Sequence, residues 1–276
     1  MATRNPFLLS RPTGDLFALH FSSRSSSRST GGAVFLQPFA EEMNRSRRMA
    51  ALQACALADA GIETVLVDLH GCGDSAGDFG DASWPLWVDG AHAAVEWMAE
   101  RMKDRIVIVG LRLGAVLAAD VAVRYPRLVS RLVLWQPVIS GKTALTQFLR
   151  IRLAASLNGS ANRETTESLR GALAAGEPVE VAGYDLSPAL AQAIDVLTLE
   201  ALAPPPTIPV DWFEIVTDTE QPAPPVSMKL VETWRNRGAR VEFRTAVGEP
   251  FWATQETTIA PQLLNATTRL FEQVPA

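Results

Sequence analysis

The residues with the clearest chemical meaning are Gly110-Leu111-Arg112-Leu113-Gly114, set between the apolar run Ile106-Val107-Ile108-Val109 and a helix-forming run from Leu113 to Tyr125. A strand that turns through Gly-x-x-x-Gly into a helix opening with small residues lifts its middle side chain above a sheet, because the glycines allow a bend where a Cβ would collide. This is the context of a nucleophile elbow, whose middle residue in an active enzyme is Ser, Cys or Asp. Here it is Arg112. A guanidinium stays protonated at every relevant pH and cannot attack a carbonyl. At the head of a helix it also stands at the positive end of the dipole, so a carboxylate or an anionic ligand must lie against it.

Other nucleophiles and metal ligands are few. Cys72 lies two residues from His70 in a loop near the mouth of the sheet, and a Cys-His pair is a conceivable nucleophile, although residues so close on one loop seldom reach the geometry. Cys55 and Cys72 are the only cysteines, which suits reduced thiols in a cytoplasm better than a disulfide scaffold. Asp68, Asp74, Asp78 and Asp81 form an acidic run that reads as a solvated loop before a cation site. No zinc-type spacing is present, and neither a metal nor a cofactor is expected.

Those groups need a frame, and the order of elements supplies one. Strands are expected over Leu16–Phe21, Ala33–Leu36, Thr64–Val67, Ile106–Val109 and Leu132–Trp135, with helices over Ser46–Ala60, Trp84–Met102 and Leu113–Tyr125. Ser22–Thr30 reads as a solvated hairpin turn. Strands that are apolar throughout and separated by helices indicate a mostly parallel sheet covered on both faces. In the central helix, Asp120 and Arg124 are spaced for an i,i+4 pair. The alternation breaks at Gly141. Residues 141–206 hold helical pieces over Leu145–Leu157, Thr165–Ala175 and Pro188–Glu200 without a convincing strand, and read as a helical lid inserted after the sixth strand. Strands over Val210–Val216 and Val241–Ala246, a helix over Val226–Arg237 and a terminal helix from about Ile259 complete one domain, 1–276. In the lid, Leu145, Phe148, Leu149 and Arg152 share helical spacing, and Trp84, Trp87 and Trp252 are candidates for an aromatic rim. They read first as core packing and otherwise as an apolar surface for an acyl chain or a partner.

Composition limits the partners. A net charge of -5 and 20% charged residues argue against nucleic acid, which selects a basic face. No apolar stretch is long enough for a membrane span, and the start of the sequence lacks the pattern of a signal peptide.

With the elbow placed, the chain resembles the α/β-hydrolase superfamily over nearly its whole length. More narrowly it resembles the second type of exosortase A system-associated hydrolase. Pro38-Phe39-Ala40-Glu41-Glu42-Met43-Asn44, the stretch from Asp68 through Gly71-Cys72-Gly73-Asp74 to Phe79, Gly110–Ala115 and Pro250-Phe251-Trp252 carry that likeness. The resemblance implies a bacterial exopolysaccharide and PEP-CTERM sorting context. It implies an oxyanion-hole loop at Gln37-Pro38-Phe39-Ala40, a triad acid at Asp218, and ligand contacts from Gln37, Pro38, Phe39, Leu111, Leu113 and Trp252.

At the position of the triad histidine the sequence has Gly248-Glu249. His20, His70 and His92 all lie in the first third of the chain, so two of three triad members are missing. Arg112 and Glu249 therefore stand where Ser and His would meet, and an ion pair between them is expected, with Glu41, Glu42 and Asp74 as rivals. At ~4 Å such a pair attracts by on the order of 4 kcal/mol before desolvation is subtracted. Three functions fit: a non-catalytic homologue binding a small acyl or anionic ligand or a partner (a second hydrolase of the same pathway, or another copy of itself), an ester or thioester hydrolase or acyltransferase using an unconventional nucleophile or water, and a purely structural subunit.

Overall fold

Alternate residues of the central strands belong to two separate cores, which is why these runs are apolar on both faces. Val34, Ile108, Leu132, Leu134 and Trp212 pack into one core, and Phe35, Val109, Val133, Trp135 and Phe213 into the other. The computed structural model describes residues 2–23, 29–156 and 164–272. Residues 24–28, within the expected Ser22–Thr30 turn, and 157–163, within the expected lid, lie outside the described residues.

The main strands are β1 (Thr3–Leu9), β2 (Leu16–Ser22), β3 (Gly31–Leu36), β4 (Ile62–Val67), β5 (Ile106–Leu111) and β6 (Val129–Trp135), then β9 (Val210–Val216) and β10 (Val241–Val247), which follow a small hairpin of β7 (Val179–Val181) and β8 (Tyr184–Leu186). They form one eight-stranded sheet in the order β1-β2-β4-β3-β5-β6-β9-β10. β1 and β2 enter antiparallel and the remaining pairings are parallel. One core takes in α1 (Glu41–Asp59) and α8 (Pro261–Glu272), while the other takes in α2 (Trp84–Met102), α3 (Leu113–Arg124) and α7 (Pro225–Asn236). This is the α/β-hydrolase fold that the sequence implies. Asp120 bonds Arg124 and also accepts from the Trp84 indole at 2.8 Å, so the expected helical pair is tied to α2 as well.

Three local features differ from expectation. β1 adds an edge strand that was not foreseen. α1 starts at Glu41, not Ser46, with Glu41 and Glu42 in its first turn, where carboxylates complement the helix dipole. The stretch after β6 contains α4 (Gly141–Ser156), α5 (Thr166–Ala174) and α6 (Pro188–Val196), but also the β7–β8 hairpin, where no strand was expected. Its two-residue turn, Ala182-Gly183, has φ of 51° and 86°, the left-handed pair that twists a tight hairpin correctly. Among the described residues no helix is long and apolar enough to cross a membrane.

A buried polar cluster braces the opposite end of the sheet. Glu63 binds His20 at 2.8 Å, Arg101 at 2.6 Å and Ser29 at 2.7 Å. Burial holds the His20 imidazole below its ordinary pKa of 6.5. Burial pushes the Glu63 carboxyl up, but hydrogen bonds from Arg101, Ser29 and His20 outweigh it and hold that group below its usual range. Both depressed groups contribute stability above their unfolded values that is lost as pH falls through the folded ones. The unfolding midpoint should therefore drop on acidification below pH 6.5, and His20→Gln should flatten the first part of that slope. An unchanged slope in the variant would remove His20 from the account.

Candidate ligand site at the strand-to-helix elbow

Arg112 stands between β5 and α3 with φ 56° and ψ −117°, a conformation that costs a residue with a side chain roughly 1–3 kcal/mol. Three backbone bonds impose it. The Arg112 N–H donates to the Trp135 carbonyl at 3.0 Å, and its own carbonyl accepts from Ala115 at 3.1 Å and Val138 at 3.3 Å. The two glycines are there for contact distance. A Cβ on Gly114 would lie 2.4 Å from the carbonyl oxygens of both Leu36 and Gln37, and one on Gly110 would lie 2.5 Å from the Ala115 Cα. The elbow is thus built as for a nucleophile, with a guanidinium at its tip.

The carboxylate against that guanidinium is Glu42, not Glu249. Arg112 Nε donates to Glu42 Oε1 at 3.2 Å, with the two side chains 16% and 27% exposed. Starting α1 at Glu41 explains this, because the first helical turn aims Glu42 at the elbow. Glu249 is exposed and lines a different surface pocket with Arg48 and Thr217. The chain leaving β10 turns sharply, Phe251 N–H donating to the Glu249 carbonyl, and Trp252 is the residue that reaches inward. The Arg112 guanidinium lies 5.4 Å from the centre of its ring. Arg45 fastens this loop to α1 through the Ala253 carbonyl at 2.7 Å.

Arg112, Glu41, Glu42, Arg45 and Trp252 border a cavity of about 580 Å³ beneath α4, whose apolar wall includes Leu145, Phe148, Ile151 and Ile194. The pair at its mouth is electrostatically unequal. Burial pushes the Glu42 carboxyl above its usual range, against the downward pull of Arg112. A second carboxylate, Glu214 on β9, is also pushed up by burial while Ser227, Trp212 and the field of Arg112 act against it. Glu214 is 2% exposed and binds Ser227 at 2.6 Å and Trp212 at 2.9 Å. It was not among the expected site residues; the run Val210–Val216 carries two acids, Asp211 and Glu214, and nothing in the sequence singles one of them out.

The other expected site residues divide. Phe39, Leu113 and Trp252 line the cavity. Gln37 and Pro38 instead border an adjoining pocket of about 20 Å³ that shares Phe39 and Leu113 with the cavity, and Gln37 donates to Asp68 at 3.2 Å. Leu111 is fully buried in the core on the α1 side and does not line the cavity. Asp218 is exposed and caps its own turn, accepting from the N–H groups of Glu220 and Gln221 at 2.9 Å, so it is not aimed at the elbow. Trp84 and Trp87 are core residues, and Trp252 alone of the expected rim faces Arg112. In α4, Leu145 and Phe148 face the cavity, Leu149 is core and Arg152 pairs with Glu164.

Cys72 is poorly set up for attack. Burial, with Asp68 adding to it, pushes its thiol up to about 12, so the thiolate is scarce at neutral pH. The acidic run is dispersed: Asp68 pairs with Arg47 at 3.1 Å and Asp81 accepts from the Asp78 N–H. No group of three potential metal ligands gathers among the described residues. None of the histidines serves the elbow. His20 is held by Glu63, the His70 ring packs where Gly77 lacks a side chain, and His92 stacks on Tyr125 at 3.7 Å.

Comparison with known proteins places this geometry in a family context. The family model described as serine aminopeptidase, S33, matches residues 28–203. No curated protein matches the sequence. Solved structures superpose along nearly the full length. Est1E from Butyrivibrio proteoclasticus with ferulic acid bound has a TM-score of 0.68 at 16% identity, over 97% of this chain and 96% of that one. A thermostable carboxyl esterase from Bacillus coagulans gives 0.65 at 13%, over 98% of each. A serine hydrolase homologue from Coxiella burnetii gives 0.55 at 18%, over 98% of this chain and 97% of the other. At these identities the likeness establishes the fold alone.

Proposed function

The chain belongs to the serine aminopeptidase S33 family, and from that premise we propose that it is a non-catalytic member that binds a ligand or a partner where its relatives carry out hydrolysis. The observation that carries this reading is the Arg112–Glu42 pair at the tip of an intact elbow. A protonated guanidinium has no lone pair for attack, and the three histidines pack elsewhere, His20 on Glu63, His70 against Gly77 and His92 on Tyr125, so none is paired with a group at the elbow as a base would be. The resemblance to the second type of exosortase A system-associated hydrolase supports a cytoplasmic role beside an exopolysaccharide and PEP-CTERM pathway. An active hydrolase of that pathway is the corresponding partner.

The family relationship and one further observation favour a second reading, turnover of an acyl ester or thioester by water. The N–H groups of Phe39, in the β3–α1 loop, and Leu113, the first residue of α3, have no acceptor among the described residues. They are the donors an oxyanion would need. One experiment separates the two. Purified protein should show no hydrolysis of short p-nitrophenyl esters and no labelling by a fluorophosphonate, and Arg112→Ser should also stay unlabelled, because a serine without a base remains a weak nucleophile. Ester turnover that survives purification and is lost in Glu42→Ala would replace the non-catalytic reading with the hydrolytic one.

A further inference from the structure

The cavity beneath α4 has a charged end and an apolar end, and that polarity identifies a class of ligand. At the charged end, Glu42 occupies only the Nε edge of Arg112; the two terminal nitrogens have no hydrogen-bond partner among the described residues. They form a two-pronged donor that matches the two oxygens of a carboxylate. The guanidinium is kept in place by Trp252 on one face and Glu42 on one edge, so little ordering remains for a ligand to impose. Beyond it the wall is Leu145, Phe148, Ile151 and Ile194. The volume of about 580 Å³ falls in the range that holds small organic molecules.

We propose that the cavity binds an amphiphilic carboxylate, its head group on the terminal nitrogens of Arg112 and its acyl chain along the α4 wall. The inference rests on the non-catalytic reading of the elbow and specifies what such a protein holds. A single negative charge suits the site better than a dianion. Arg112 offers one guanidinium, and Glu41 and Glu42 border the same space; Arg45, the only other cation on the cavity wall among the described residues, is bound to the Ala253 carbonyl and to Glu41. Glu42 is the competitor for Arg112, and a ligand carboxylate gains most when Glu42 carries a proton. Besides burial, Arg112, Glu41 and Arg45 are the charged groups whose fields act on it.

Calorimetric titration of the full chain with dodecanoate, below its micelle concentration, tests this. Saturable one-to-one binding is expected, with acetate and dodecanol each weaker by at least about tenfold, since one lacks the chain and the other the charge-assisted hydrogen bonds. Arg112→Ala should lose at least about tenfold, and Glu42→Gln should bind more tightly than the wild type. Ala144→Trp, which fills the cavity from a partly buried position on its wall and leaves Arg112 intact, should abolish binding in protein that still unfolds cooperatively. Dodecanol binding as well as dodecanoate, Arg112→Ala binding unchanged, or no dodecanoate binding would each overturn the proposal. Hydrolysis of a dodecanoyl ester by the same preparation reports separately on the non-catalytic reading, so failure of the one is distinguishable from failure of the other.

Discussion

Gly114→Ala should destabilise the protein by about 3 kcal/mol or more, read as a lower urea midpoint with an unchanged slope. Helix propensity alone predicts the opposite, because alanine improves on glycine in a helix by up to about 1 kcal/mol, less in the first turn where Gly114 lies. Contact distance decides the sign. The added carbon would sit 2.4 Å from two carbonyl oxygens, those of Leu36 and Gln37. Neither is the end of a flexible side chain. Leu36 is the last residue of β3, held in register against Gly110 on one side and Val67 on the other. Relief requires moving either the sheet or the head of α3, and α3 is fixed by the backbone bonds at Arg112. Gly171 is the matched control. It lies inside α5 with nothing within 4 Å of its missing side chain, so Gly171→Ala should stabilise by up to about 1 kcal/mol. Equal effects at the two positions would mean that the β3–α1 loop retreats freely and that the elbow glycine is not required by contact.

The same contrast explains what was legible in the sequence. Gly110 and Gly114 announce a close approach of backbones, and the apolar runs on either side place it between a strand and a helix; both are local patterns, and the structure contains both. The parallel sheet follows from strands such as Ile106–Val109, apolar on both faces because each face meets a helical layer. The charge partner of Arg112 was not readable in this way. Choosing between Glu42 and Glu249 depends on where α1 begins and on how the chain turns after β10, and element ends are the least determined part of a sequence reading. Moving the start of α1 to Glu41 brings Glu42 to the elbow. The turn at Glu249–Trp252 sends an indole inward where the triad position called for an ionisable group. Asp218 shows the same limit, since an aspartate two residues past a strand is equally a turn residue, and its carboxylate is taken by the N–H groups of Glu220 and Gln221. Glu214 is the reverse case, an acid whose burial was invisible until Trp212 and Ser227 closed around it.

Removing the two members of the elbow ion pair should have unequal costs. Glu42→Ala leaves a guanidinium that is 16% exposed, cannot deprotonate and faces the positive end of α3, so a loss of about 2–3 kcal/mol is expected. Arg112→Ala leaves Glu42 at the head of α1, where the dipole favours it and where it can take up a proton, so the loss should be nearer 1 kcal/mol. The double variant buries neither charge and should return to within about 1 kcal/mol of the wild type, a coupling in the range seen for contacting residues. The pH dependence carries the same asymmetry. Burial holds the Glu42 carboxyl high even with Arg112 beside it, and without the arginine nothing comparable pulls it down. A carboxyl raised on folding contributes stability below its unfolded pKa that is lost as pH rises through the folded one. The deficit of Arg112→Ala should therefore widen from acidic to neutral pH in urea titrations. Equal costs for the two single variants, or a double variant as unstable as their sum, would mean that Arg112 draws its compensation from elsewhere. Glu214, buried and already within its field, is then the carboxylate to replace next.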